Sequence, residues 1–107
     1  MTRHRITSVH PGVYLKELLS ELKISQYRLA KELGVTAMRI NLVVNGKRSV
    51  TAELALRLGR YFGQTPRYWM NLQSRYDIDV AEDALSEQVM DEVRPLNKLW
   101  TDSQSYF

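Results

Sequence analysis

The stretch SQYRLAKELGVTAMRINLVVNGKR, Ser25 to Arg48, constrains the fold more than any other part of the chain. It holds two short helical patterns hinged at a single glycine. Ser25 caps the first, Leu29, Ala30 and Leu33 face inward, and Gly34 ends it at the position where a left-handed residue costs least. A second helix, from about Thr36 to Val44, follows at once. Ala30 stands where the two helices must approach closely, Val35 plugs the joint, and Ile40 with Val43 bury the second helix against the first. Two helices joined by a short turn containing Gly form the unit that sets its second helix into a DNA major groove. The plainer alternative for the same pattern is an αα-corner in a small bundle.

The flanking sequence predicts further helices and no strand. Pro11 opens a first helix at its N1 position, with Tyr14, Leu15, Leu18, Leu19 and Leu22 as one apolar stripe that ends near Lys23. Asn45 and Gly46 form a turn, and Thr51 caps a helix whose Leu54, Ala55, Leu58 and Phe62 face the core. Thr65 and Pro66 restart the chain in a fifth helix carrying Trp69, Leu72 and Tyr76 on one side. Asp79 with Glu82 three residues later resembles a capping box, which predicts a sixth helix with a narrow stripe of Ala81, Leu85, Val89 and Val93 that Pro95 ends. The expected fold is therefore an all-α bundle of about five helices plus a C-terminal sixth. At 107 residues it forms one domain, with a core unit at 9–78, an acidic helix at 79–96 and a tail at 97–107 without clear periodicity.

On the second helix of the hinged pair, with Ile40 taken as the buried direction, Met38, Asn41, Leu42 and Asn45 fall on the outer half and Arg39 on its flank. A surface that reads base edges needs hydrogen-bonding groups and apolar groups for thymine methyls, and this face supplies both. Arg39 suits bidentate contact with guanine, Asn41 pairing with adenine, and Met38 and Leu42 thymine methyls, although packing on a neighbouring helix accounts for Leu42 nearly as well. Ser25, Gln26, Asn45, Lys47 and Arg48 surround the face and are candidates for phosphate contact. Capping for Ser25 and a solvated charge for Lys47 are compatible with that role.

Charge is segregated along the chain. Residues 1–75 carry thirteen Lys or Arg against four acids, a balance of +9, whereas residues 76–107 carry two against eight, a balance of −6. A basic body suggests a polyanionic partner and an acidic end suggests a basic one. There is no cysteine, which excludes disulfides and thiolate metal sites and suits a reducing cytosol. No run approaches the roughly 20 apolar residues that span a bilayer, so no membrane role is expected. The only histidines, His4 and His10, lie in or beside the N-terminal arm, and neither an H-E-x-x-H motif nor a phosphate-cradling glycine loop occurs. The reading is of a non-enzyme without cofactor or metal, with His10 as a cap or packing residue before the first helix.

At SQYRLAKELGV the chain resembles the lambda-repressor-like, Xre-type helix-turn-helix proteins. HPG at 10–12, RIN at 39–41, VNGKR at 44–48, TAELALRLGRYFG at 51–63 and YWMNLQSRYD at 68–77 narrow the resemblance, over roughly residues 9–96, to the HigA (VapI-type) antitoxins. This resemblance implies a bacterial, cytoplasmic, nucleoid-associated homodimer that binds a palindromic operator, represses its own operon and neutralises a small RelE/HigB-like mRNA-cleaving toxin. Val13–Tyr14, Met38 and Leu42 depart from the family's common choices, so the operator sequence does not carry over. The rival reading is a stand-alone Xre-type repressor with no toxin partner.

Trp69, Tyr76, Leu85, Val89 and Val93 exceed what a small core can cover and are the candidate dimer surface, with packing inside the protomer as the alternative, above all for Trp69. A toxin that grips ribosomal RNA must be basic. Glu82, Asp83, Glu87, Asp91 and Glu92 are accordingly the candidate steering charges toward it, with Leu99 and Trp100 as apolar anchors; the competing site is the outer side of the first helix and its basic N-terminal arm.

Overall fold

A computed structural model describes residues 9–96, which form five helices: α1 Pro11–Leu22, α2 Gln26–Leu33, α3 Ala37–Val44, α4 Ala52–Phe62 and α5 Pro66–Glu92. Each begins at a side-chain cap, as the sequence predicts for α2 and α4. Ser25, Thr36, Thr51 and Thr65 accept hydrogen bonds from the backbone N–H groups of Arg28, Arg39, Leu54 and Tyr68. For α1 the cap is imidazole: His10 Nδ1 accepts from Gly12 N–H at 2.8 Å, with Pro11 following at the position that needs no donor.

The apolar faces of these helices converge on one core of Leu15, Leu19, Leu29, Leu33, Ile40, Val43, Leu54, Leu58 and their neighbours. Helix α2 lies against α3 and α4, α1 against α3, and α4 packs most extensively on α5. Two glycines make this arrangement possible. Gly34, at φ 77°, terminates α2 in the left-handed region, and its N–H donates to Ala30 and Lys31 carbonyls. Gly12 serves a different need, because a Cβ there would run into the carbonyl oxygen of Val43. Backbone therefore meets backbone where α1 crosses the end of α3.

Two expectations are corrected. No sixth helix begins at Asp79, because α5 runs unbroken for 27 residues. From Arg67 to Arg94 there is neither Pro nor Gly to interrupt it, so the Asp79–Glu82 spacing falls within a helix whose cap is Thr65. A capping box stabilises only N–H groups that lack a helical acceptor, and those at mid-helix have one. The second correction is Trp69, a candidate for the dimer surface: it is 1% exposed, sits in the core and donates from Nε1 to Gln64 Oε1 at 2.7 Å. Its indole is consumed within the protomer, so it has no face to offer a second copy.

Candidate nucleic-acid interface

The hinge at Gly34 and the closely packed Ala30 fix α2 against α3 so that the first turn of α2 and the outer side of α3 share one surface. A polar ladder crosses between them. Asn41 Nδ2 donates to Gln26 Oε1 at 3.2 Å, and Asn45 Nδ2 donates to Asn41 Oδ1 at 3.2 Å. Gln26, Asn41 and Asn45 are thus brought together, and the ladder holds their rotamers while leaving further amide donors and acceptors available. Met38 projects beside them and is 72% exposed, which an apolar side chain would not be if it served the core. Leu42 is half-buried and lends part of its surface to packing.

Arg39 is placed differently from the others. Its guanidinium turns toward α4, where Nη2 donates to Thr51 Oγ1 at 3.0 Å and Nη1 pairs with Glu53 at 3.5 Å. Glu53 in turn accepts from Arg57 Nε at 3.0 Å, and Arg57 Nη1 donates to the Leu33 carbonyl at the end of α2 at 2.8 Å. The hydrogen bond from Arg57, reinforced by the Arg39 charge, holds the Glu53 carboxyl below the usual carboxylate range. Two of the five guanidinium donors of Arg39 are used in this way, which fixes the plane of the group at the edge of the α3 surface.

Ser25 Oγ accepts from Arg28 N–H at 3.0 Å, so it caps α2 and keeps its own hydroxyl proton for donation. The first-turn N–H groups of α2 lie beside it. Lys47 and Arg48 stand exposed in the loop between α3 and α4, at the far end of the same surface. Phosphate candidates thus bracket the ladder on both sides. Among the described residues no group of His, Cys, Asp and Glu is arranged to hold a metal ion, and no helix is long and apolar enough to cross a membrane.

Of the remaining candidates, Tyr76, Glu82, Asp83, Leu85, Glu87, Val89, Asp91 and Glu92 lie on α5 and Val93 at its C-terminal cap. Tyr76 is half-buried, its ring edge-on to His10 with centroids 5.1 Å apart. Leu85, Val89 and Val93 are exposed, and Ile78, which the sequence reading passed over, is exposed on the same stripe. Glu82, Glu87, Asp91 and Glu92 are exposed and Asp83 is half-buried, while Leu99 and Trp100 lie outside the described residues. Sequence reasoning also missed Thr51 and Glu53 as anchors for Arg39, and it missed Gln73, whose side chain is buried and holds the loop before α4 through Val50. No local pattern marks these pairings, which join residues 12 to 23 positions apart.

The family described as Helix-turn-helix (HTH_3) matches residues 15–69. "Virulence-associated protein I" of Dichelobacter nodosus is 42% identical over 81 residues, covering 75% of this chain and 75% of that protein. Two solved structures align closely. One is an addiction module antidote protein of a HigA family from Coxiella burnetii, at TM-score 0.79 and 44% identity over 81% of this chain and 96% of that one. The other is the Pseudomonas aeruginosa antitoxin HigA with the higBA promoter, at TM-score 0.80 and 42% identity over 83% and 98%.

Proposed function

The chain belongs to the helix-turn-helix family, in the branch of HigA and VapI-type proteins, and from that premise we propose that it is a sequence-specific DNA-binding autorepressor and the antitoxin of a toxin–antitoxin pair. The observation that carries this reading is the ladder of Gln26, Asn41 and Asn45 beside exposed Met38. An outward helical face that is hydrogen-bonded across two helices and also bears a bare thioether suits base edges and thymine methyls. The HigA relative solved with the higBA promoter supports DNA as the partner.

In this reading Met38, Arg39, Asn41 and Leu42 address bases, and Ser25, Gln26, Asn45, Lys47 and Arg48 address phosphates. One such module buries too little surface for specific repression, so two copies bind a palindromic operator. The stripe of Ile78, Leu85 and Val89, exposed on a helix that otherwise carries many charges, with Val93 just past its end, is where the copies meet. The acidic end of α5 meets a basic, RelE/HigB-like toxin, with Glu87, Asp91 and Glu92 steering the encounter.

The test is co-purification from the intact operon, followed by reversal of Glu87, Asp91 and Glu92 to Lys together. Capture of the neighbouring gene product at low salt, slowed by the reversal with DNA binding intact, supports the acidic face. Unchanged capture moves the toxin site to the N-terminal half, and the absence of any small basic partner leaves a stand-alone repressor.

A further inference from the structure

The loop at residues 45–51 links α3 to α4 and carries Lys47 and Arg48, with Val50 as its core residue. Its side chains from Asn45 to Ser49 are exposed, and a cavity of about 110 Å³ separates it from Tyr76 and Asp77 on α5. Between Lys47 and Ser49 the exposed side chains leave dispersion little to act on. The loop's first residues bond back to α3 through the Gly46 and Lys47 N–H groups, Val50 anchors it in the core, and a side-chain bond from α5 fixes the Val50 backbone.

At one end the His10 ring lies against Gly46 and shares the cavity lining with Arg48. At the other, Gln73 Oε1 accepts the Val50 N–H at 2.7 Å, with Gln73 only 3% exposed and Val50 buried. The sense of that amide is decided by its neighbour. Gln73 Nε2 donates to Asp77 Oδ1 at 2.9 Å, and a carboxylate accepts and does not donate, so the Gln73 oxygen must face Val50. The next residue, Thr51, is the one whose Oγ1 holds Arg39 at 3.0 Å.

We propose that Gln73, oriented by Asp77, is the positioning residue through which α5 sets both the phosphate-contact loop and the Arg39 guanidinium for DNA. This rests on the DNA-binding reading above and adds a residue that touches no DNA itself. It also makes α5, the helix assigned to partners, the same helix that holds the DNA-contact loop.

The test uses the full chain and a duplex carrying the DNA immediately upstream of its own coding sequence. Gln73→Met keeps length and net charge but removes the acceptor. It is expected to bind that duplex about tenfold more weakly, with the slope of log affinity against log salt reduced by about one as a phosphate contact is lost. In the free protein the Val50 amide should lose its protection from hydrogen exchange. The swapped pair Gln73→Glu with Asp77→Asn rebuilds both bonds, the Glu accepting from Val50 and the Asn donating to it, at unchanged net charge. It is expected to restore affinity, slope and protection, which a merely well-packed Gln73 would not require.

Wild-type affinity and slope in Gln73→Met, or a swapped pair as weak as Gln73→Met, overturns the proposal. Should Gln73→Met fail to fold, Asp77→Asn carries the test by freeing the amide to turn. Weaker binding with faster Val50 exchange supports the proposal, and wild-type values for both overturn it. A wild-type chain with no preference for the upstream duplex overturns the DNA-binding reading and this proposal with it. Preference in the wild type with unaltered variants removes only the role of Gln73.

Discussion

The Arg39 guanidinium on α3 donates to the Thr51 hydroxyl at the cap of α4, 3.0 Å away, while Thr51 also accepts the Leu54 N–H at 3.1 Å. One hydroxyl therefore both starts a helix and holds a cation at the rim of the proposed base-reading face. Holding a long side chain before binding removes part of the entropy cost of contact.

Arg39→Ala is expected to cost roughly 1–3 kcal/mol of operator affinity per half-site and to relax preference at one base pair. Lys47→Ala is expected to weaken all duplexes alike and to lower the salt slope by about one. Competition titrations with operator and single-base variants separate the two. A uniform loss in Arg39→Ala would leave it as a strut between α3 and α4.

Gly12→Ala tests the backbone contact between α1 and α3. A Cβ at this position meets the Val43 carbonyl, and neither helix can yield without moving core residues Leu15 and Val43. The substitution is expected to destabilise the fold by about 1–3 kcal/mol, the usual range for overpacking, despite alanine's better helix propensity. Chemical denaturation measures it, and a neutral or stabilising result would mean that the helices do not touch there.

His10 gives the fold a pH dependence. Burial holds its pKa below the usual 6.5, against the opposing effects of the hydrogen bond to the Arg48 carbonyl and the Asp77 charge. The unfolded chain then binds more protons than the folded one. Stability is fully present above about pH 6.5 and is lost as pH falls below it. Protonation at Nδ1 also removes the acceptor for Gly12 N–H. Denaturation midpoints should fall between pH 7 and pH 5, and His10→Asn, which keeps a capping side chain, should flatten that fall. Equal slopes in the two proteins would exclude His10 as the source.

The helix starts were legible because each is a local matter. Ser25, Thr51 and Thr65 sit one residue before an apolar or proline-led period, and the cap geometry follows from that alone. The length of α5 was not legible, since Asp79 and Glu82 have capping-box spacing and only the absence of a breaker argues against it. Gln73 was invisible for another reason: its partner Val50 lies 23 positions away, and the bond exists only once α4 and α5 have packed. Trp69 could be read as core or as interface from its type, and only the fold decides that Gln64 satisfies its N–H.

Val89→Glu tests self-association. Val89 is 49% exposed in the protomer, so the substitution should leave the fold intact. It is expected to yield a monomer by sedimentation with weakened operator binding. A dimer of unchanged strength would remove the distal half of α5 from the interface.

The central claim is specific DNA recognition by the α2–α3 surface, and its most direct test is an equilibrium titration of the chain with two labelled duplexes at one fixed salt concentration. One carries the DNA upstream of its own coding sequence and the other has the same bases scrambled. The account predicts tighter binding to the first by a factor of about 10³ or more, lost when Asn41 is replaced by Ala. Equal affinity for the two duplexes would contradict it.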